Sequence, residues 1–477
     1  MERVPNPVRL VVAWVGTALV RADLIEPERA RRTTDLAWPR IVTGLARMSK
    51  NAADTAMVGL AVGTAAIAGV GFVAPYWGMA FALGGGLASG TIALVSQRYG
   101  ADEPVGQPVR SSILVVLGLT VPVTALFWFL PTQLLGLLSD NPRVVELGAN
   151  YLRLMGLGVP FAGLNLIASR ALVGADDAWT PMVVRAAGAV LNVAVNAALI
   201  FWLGYGVVGA AVGTVLANVA VTIAFVYGLT AGWLPGVGKL PITVDPLGTY
   251  LHGETTRQLV KIGTPLIGKN VAWRLGGFAM LWIVGLFGTT VVAAFVVAQR
   301  VRDLLNTPGW GFGLASSSLV GQELGTGDED TAEAYGTEVI RFGVAVYFLL
   351  AAVVFVLADP IALAFVGDPA SDALPIATLL VRATCVGIVF KGLSRTATGP
   401  LRASGDTRWP FYGQVLGYVV GLPLAYLGAT TDLGLPGLVV AVVAVMVAPA
   451  AVSYYRFSTG RWKVIARDYR PATQPGD

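Results

Sequence analysis

The sequence predicts an all-α integral membrane protein of about twelve transmembrane helices, arranged as two six-helix lobes related by pseudo-twofold symmetry. Three observations predict it. Of the 477 residues, 55% are hydrophobic and only 13% charged, against about 25% charged in a soluble domain, and the mean hydropathy is +0.69. Apolar runs long enough to span a bilayer, which takes ~20 residues each, recur along the whole chain. The second half of the chain also repeats motifs of the first.

The same composition excludes several chemistries. A single cysteine, Cys385, and a single histidine, His252, leave no disulfide scaffold, no Cys/His zinc set and no Cys-His nucleophile pair. The net charge of +5 is spread between apolar spans instead of forming one basic face, so it reads as a topology signal and not as a nucleic-acid surface. No catalytic group and no cofactor are expected.

Taken in order, the first apolar run is Val8 to Val20. It follows Arg3 and Arg9 and leads into Glu26, Glu28, Arg29, Arg31 and Arg32. That pattern lacks a cleavable signal, and the run is short for a span, so residues 1–38 are expected to be a cytoplasmic segment with an interfacial helix. The first lobe, 39–238, has expected spans at 39–62, 66–96, 111–131, 147–173, 180–203 and 207–232. A polar stretch, 239–261, with Pro241, Asp245, Pro246, His252 and Glu254, reads as a cytoplasmic linker. The second lobe, 262–458, has expected spans at 262–287, 290–322, 338–358, 374–399, 410–430 and 434–457, and 459–477 forms a cytoplasmic tail.

Lys and Arg gather in cytoplasmic loops. With the N-terminus inside, Arg98, Arg110, Arg170, Arg185, Lys239, Arg257, Lys261, Arg402, Arg408 and the tail all fall inside, while Asp140, Glu146, Asp359, Asp368, Asp372 and Asp432 fall outside. Both termini of this multi-pass cell-membrane protein are then cytoplasmic.

The repeats are specific. Leu172 to Pro181 (LVGADDAWTP) matches Leu401 to Pro410 (LRASGDTRWP), and Gly86 to Gly100 (GLASGTIALVSQRYG) corresponds to Gly311 to Gly325 (GFGLASSSLVGQELG). An even number of spans per half makes the two halves parallel repeats, an architecture that suits alternating access.

Several of these motifs carry a family resemblance. Asn51 to Gly59 (NAADTAMVG), Ala65 to Gly71, Gln97 to Asp102 (QRYGAD), Gly174 to Pro181, Gly206 to Thr214 (GVVGAAVGT) and Leu401 to Pro410 resemble, in order and spacing, the multidrug and toxic compound extrusion (MATE) transporters of prokaryotes. The resemblance covers roughly residues 36–458. It implies a monomeric antiporter that exports small organic solutes across the bilayer in exchange for sodium ions or protons. A lipid-linked precursor or polysaccharide flippase of the same superfamily is the alternative. The major facilitator type is disfavoured because residues 97–110 lack its Gly-x-x-x-Asp-Arg-x-Gly-Arg-Arg-like loop. An intramembrane prenyl-transferring enzyme is disfavoured because Asp176-Asp177 has no second acidic cluster facing it.

Ionisable groups at membrane depth are functional candidates. By helix rise Asp54 lies about 22 Å from the cytoplasmic start of its span, Asn192 and Asn196 about 18 and 24 Å into theirs, and Thr214 about 10 Å below the outer end of the next. These four side chains are thus expected at one level, as a cation-coupling site for a sodium ion or a proton. The resemblance places Asp54 on the family's first-helix aspartate and Asn196 where some members carry an acid. Two other readings stand beside coupling. Lys50, one turn before Asp54, is placed to pair with it, and the amides and hydroxyl are also suited to gluing helices together.

In the second lobe the sequence departs from the family. Trp273 and Lys391 stand at positions where several members carry a glutamate and an aspartate. Lys269, Arg274, Arg300, Arg302 and Arg395 add positive charge against Asp303. Either Arg300 or Arg302 neutralises Asp303 while Lys269, Lys391 and Arg395 snorkel to headgroups, or Trp273, Arg274, Arg300, Asp303 and Lys391 line an electropositive substrate cavity that favours anionic or zwitterionic solutes, or acidic lipid headgroups, over hydrophobic cations.

Overall fold

The computed structural model describes residues 6–469. Residues 1–5 and 470–477, the outer ends of the expected N-terminal segment and tail, lie outside the described residues. The chain is helical throughout: α1 (Pro7–Arg21), α2 (Pro27–Val62), α3 (Thr64–Gly100), α4 (Gly106–Phe129), α5 (Pro131–Gly136), α6 (Pro142–Gly156), α7 (Val159–Gly174), α8 (Trp179–Ala197) with a π-helical turn over Ala198–Trp202, and α9 (Gly206–Ala231). A short hairpin of β1 (Trp233–Leu234) and β2 (Gly238–Lys239) follows. Then come α10 (Gly253–Gly285), α11 (Thr289–Leu305), α12 (Thr307–Thr326), α13 (Glu329–Val356), α14 (Ala358–Val366), α15 (Ala373–Ala403), α16 (Arg408–Thr430), α17 (Gly434–Ser458) and α18 (Arg461–Arg467).

By length and composition eight of these helices are able to cross a membrane, and the α6/α7 pair makes a ninth. The remaining long passages are α2, α10 and α11/α12. The first two carry the ionisable residues Arg40, Arg47, Lys50, Asp54, Lys269 and Arg274, and the third is broken.

The breaks have a local cause. Helices α6 and α7 meet at 46° ahead of Pro160, which cannot donate to the carbonyl of Gly156. The hydroxyl of Thr124 donates to that carbonyl instead, at 2.9 Å. The expected single span 290–322 is likewise two helices, because Pro308 leaves the carbonyl of Leu304 free and the Thr307 hydroxyl takes it at 2.7 Å. Side-chain hydroxyls so re-satisfy the backbone that proline frees, as a lipid-embedded helix requires.

The internal repeat is visible in the backbone. Left-handed residues favour Gly, Asn and Asp, and they fall at matching places in the two halves. Gly63 (φ 98) precedes α3 as Gly288 (φ 97) precedes α11, and Asp102 (φ 58) ends α3 as Gly327 (φ 92) ends α12. In the repeated motif, Asp176 (φ 65) matches Gly405 (φ 81), while Gly206 (φ 51) and Gly434 (φ 53) open α9 and α17.

The chain forms two compact units. One runs from Val42 to Ile267; the other combines residues up to Ile41 with those from Gly268 onward. In the first, α3 packs against α4, α6 and α7, around buried Val95, Val116, Leu166, Leu172 and Phe225 and around Val73, Phe127, Leu152 and Met155. In the second, α15 packs against α11, α12, α13 and α17, around Ile283, Val284, Phe295, Leu380 and Ile388.

The N-terminal segment differs from expectation in one respect. Residues 27–38 continue into the first span as the single helix α2. Helix α1 does fall on the predicted apolar run, and it lies on α13, with Val12, Val15 and Gly16 buried and Gly16 against the Phe342 ring. The opposite side of α1 leaves Leu10 and Trp14 exposed. Arg29 of α2 pairs with Glu338 of α13 at 2.8 Å, and Arg32 donates to Gln322 at 2.6 Å and to the Tyr335 hydroxyl at 2.9 Å. At the other end of the first unit, α10 begins at Gly253, inside the expected linker.

Candidate functional site

Helix α2 brings Lys50 and Asp54, α8 brings Asn192 and Asn196, and α9 brings Thr214. All five meet. Asp54 is 7% exposed, Thr214 5%, and both asparagines are fully buried. One carboxylate oxygen of Asp54, Oδ2, accepts from the Lys50 ammonium at 2.7 Å. The other, Oδ1, accepts from Asn196 Nδ2 at 2.8 Å. With its nitrogen turned to the carboxylate, Asn192 donates to the same Oδ1 at 3.0 Å, and its oxygen accepts from the Thr214 backbone N–H at 3.2 Å and hydroxyl at 3.1 Å.

The backbone is shaped for this meeting. Immediately after Asn196 the helix widens into its π-helical turn, a feature that recurs at functional sites. Gly213 faces Asn196 so closely that a Cβ there would lie 2.0 Å from Asn196 Oδ1 and 3.2 Å from its backbone nitrogen. Only glycine lets α9 approach α8 to this distance. The Asn196 Oδ1 itself is buried without a hydrogen-bond partner.

Sequence reasoning missed the continuation of this cluster. Asn218 Nδ2 donates to the Thr214 carbonyl at 2.9 Å, Asn165 Nδ2 to the Asn218 carbonyl at 3.2 Å, and the Thr222 hydroxyl to Asn165 Oδ1 at 2.9 Å. A polar chain therefore runs from Asp54 along α9. Its signal was in the sequence, since Thr214, Asn218 and Thr222 recur every fourth residue and share one helix face.

The basic residues of the second half part company. A cavity of about 260 Å³ opens among α10, α11, α15, α16 and α17, with Trp273, Arg274, Arg302, Asp303 and Tyr418 in its wall. The Lys391 ammonium lies 5.9 Å from the Trp273 ring centroid and the Arg274 guanidinium 5.8 Å. Arg302 pairs with Asp303 at 3.3 Å. The Tyr418 hydroxyl donates to the Trp273 carbonyl at 2.9 Å, holding α16 against α10. Two expected members are not part of the cavity wall: Arg300, which is exposed, and Lys391, which reaches it only through the Trp273 ring. Lys269, expected to snorkel, is 9% exposed and donates to the Thr398 hydroxyl at 3.2 Å.

The chain is similar to known proteins along most of its length. The chain is 29% identical over 463 residues to the "Probable multidrug resistance protein NorM" of Rhodopseudomonas palustris, covering 92% of each chain. It is 30% identical over 406 residues to the protein of the same description in Pseudomonas putida, covering 82% of this chain and 86% of that one. A solved structure described as the outward-facing conformation of a multidrug resistance MATE family transporter superposes with a TM-score of 0.80 at 22% identity, over 91% of this chain and 96% of the other. The MatE family model matches residues 39–198 and 265–427. Two matched halves, each repeating the same turns, leave one assignment: this multi-pass membrane protein belongs to the MatE family of multidrug transporters.

Proposed function

We propose that the protein is a proton-driven antiporter that exports small organic solutes across the cytoplasmic membrane by alternating access, with Asp54 as the group that exchanges the proton. The observation that carries this reading is the donor set around Asp54. Three N–H-bearing groups, Lys50, Asn192 and Asn196, point at its two oxygens. A sodium ion is a hard cation that wants oxygen ligands, and the position beside Oδ2 is held by an ammonium. A proton needs no such shell.

Neutralising Asp54 would weaken three charge-assisted hydrogen bonds at once, each worth ~1.5–3 kcal/mol. The two asparagine bonds tie α2 to α8, and through Asn192 to α9, while the Lys50 bond lies within α2. Proton uptake thus has differential contacts to act on, which any ligand-driven change of state requires. The basic loops further support a cytoplasmic N-terminus, C-terminus and 239–261 loop.

The test uses purified protein in vesicles, with a pH gradient and a sodium gradient imposed separately. Fluorescent solutes of anionic, zwitterionic and cationic charge are followed. The pH gradient should drive solute movement, and Asp54→Asn should abolish it while leaving the protein folded. Transport driven by sodium at constant pH, or wild-type transport by Asp54→Asn, would overturn the assignment.

A further inference from the structure

We propose that the cavity of the second unit is a binding site for amphiphilic organic anions, with Trp273 as its aromatic platform and Lys391 and Arg274 as its charge-selecting groups. The proposal deepens the exporter reading above and rests on it for the direction of transport, but the binding site stands on its own geometry.

The cavity wall is mostly apolar, with Phe295, Leu380, Val442 and Met446 among its side chains. Against that wall stand Arg274 and Arg302, with Lys391 stacked on Trp273. The one carboxylate present, Asp303, is already engaged by Arg302. Three bases, Arg395, Arg302 and Lys269, and one carboxylate, Asp303, act on the charge of Lys391, so its charged neighbours are mostly repulsive. Among the described residues no carboxylate lies within ion-pair distance of Lys391 or Arg274. A cation–π contact contributes about 0.5–2 kcal/mol, less than an unpaired charge costs in a membrane protein. A bound anion supplies the missing counter-charge, and its apolar body takes up the Trp273 face and the methionine-lined wall.

The internal repeat strengthens the case. Counted from Gly63 and Gly288, Asp54 corresponds to Ala279, which sits between the cavity residues Phe278 and Met280. Counted from Gly206 and Gly434, Thr214 corresponds to Val442, another cavity residue. Counted from Asp176 and Gly405, Asn192 and Asn196 correspond to Gly421 and Ala425. One of the four corresponding positions, Val442, thus lines the cavity, and a second, Ala279, adjoins two of its lining residues. Every oxygen-bearing side chain of that cluster has been lost there. What fills the region instead is an indole and a group of bases.

The experiment is isothermal titration of the full-length purified protein with three probes of one shape: a naphthalenesulfonate, naphthyltrimethylammonium and the neutral naphthalenesulfonamide. Wild type should bind the sulfonate about tenfold tighter than the ammonium, the value of one charge-assisted contact. Lys391→Gln should lose that preference, Lys391→Arg should keep it, and Trp273→Leu should weaken all three probes. Equal affinity for anion and cation in wild type, or full anion preference in a folded, monodisperse Lys391→Gln, overturns the proposal. Movement of the sulfonate across vesicles is read separately: binding without gradient-driven movement would count against the export reading and leave the cavity assignment intact.

Discussion

Replacing Lys50 with Met tests whether the Lys50–Asp54 pair is structural as well as chemical. The pair is bonded at 2.7 Å, and its side chains are 18% and 10% exposed. At such a separation and an effective dielectric of about 20, the gross attraction is ~6 kcal/mol, most of which is offset by taking both charges out of water. Truncating one partner removes the attraction but keeps the desolvated charge. Lys50→Met should therefore cost about 3 kcal/mol. Asp54→Asn should cost less, ~1–2 kcal/mol, since Lys50 sits on a long flexible stem that can turn to water. In the double variant no buried charge remains unpaired, so a coupling of roughly 2 kcal/mol should appear in the cycle. The measurement is the unfolding temperature of the four purified proteins in one detergent. Lys50→Met should melt below the double variant. If it melts with wild type, or if the two single losses simply add, the pair does not hold α2 in place and the argument fails. The helix alone does not account for such a coupling, because i,i+4 pairs contribute only a few tenths of a kcal/mol and the Lys-first order is the weaker one.

Gly213→Ala places a methyl carbon where Asn196 Oδ1 is only 2.0 Å away. Overpacking of this kind costs about 1–3 kcal/mol, and transport should fall more than stability because Asn196 must leave Asp54; unaltered transport would show that the α8–α9 approach is not needed. Single cysteines in the 239–261 loop should label with a membrane-impermeant reagent only from the cytoplasmic side, at exposed positions such as Leu247 and Leu251. Labelling from outside would reverse the topology.

Much of the fold was legible because spanning helices announce themselves by length and apolarity alone. The expected spans 207–232, 410–430 and 434–457 differ from α9, α16 and α17 by a residue or two at most. The sequence was harder to read where proline acts at a distance of four residues. Pro308 marks a candidate stop within the run 290–322, but the run does not reveal that the helix ends there or that Thr307 covers the carbonyl it frees. The Asp54 cluster was legible from helix rise, because four polar side chains at one depth in a bilayer have few partners but one another. The Lys50 pairing followed from its i,i+4 spacing. Asn165 escaped notice because its role depends on α7 packing on α9, which the period of α7 does not show. For the same reason the stacking of Lys391 on Trp273 was not readable. It depends on α15 and α10 bringing together residues that are far apart in the chain.

A duplicated fold begins with two equivalent sites, and here the two have moved in opposite chemical directions. The first keeps an acid and holds it with three nitrogen donors, so a proton is the smallest change that can release it. The second has Ala279, Gly421, Ala425 and Val442 at the matching positions, and none of these side chains can hold a proton or an ion. On the proposed reading the exchanged proton therefore sits in the first half, at Asp54. This separation has a physical consequence. Where solute and proton share one carboxylate, they exclude each other by direct competition, and the solute must be a cation. Where the carboxylate lies in one repeat and the solute's counter-charge in the other, competition is replaced by a shift between conformations, and the solute is free to be an anion.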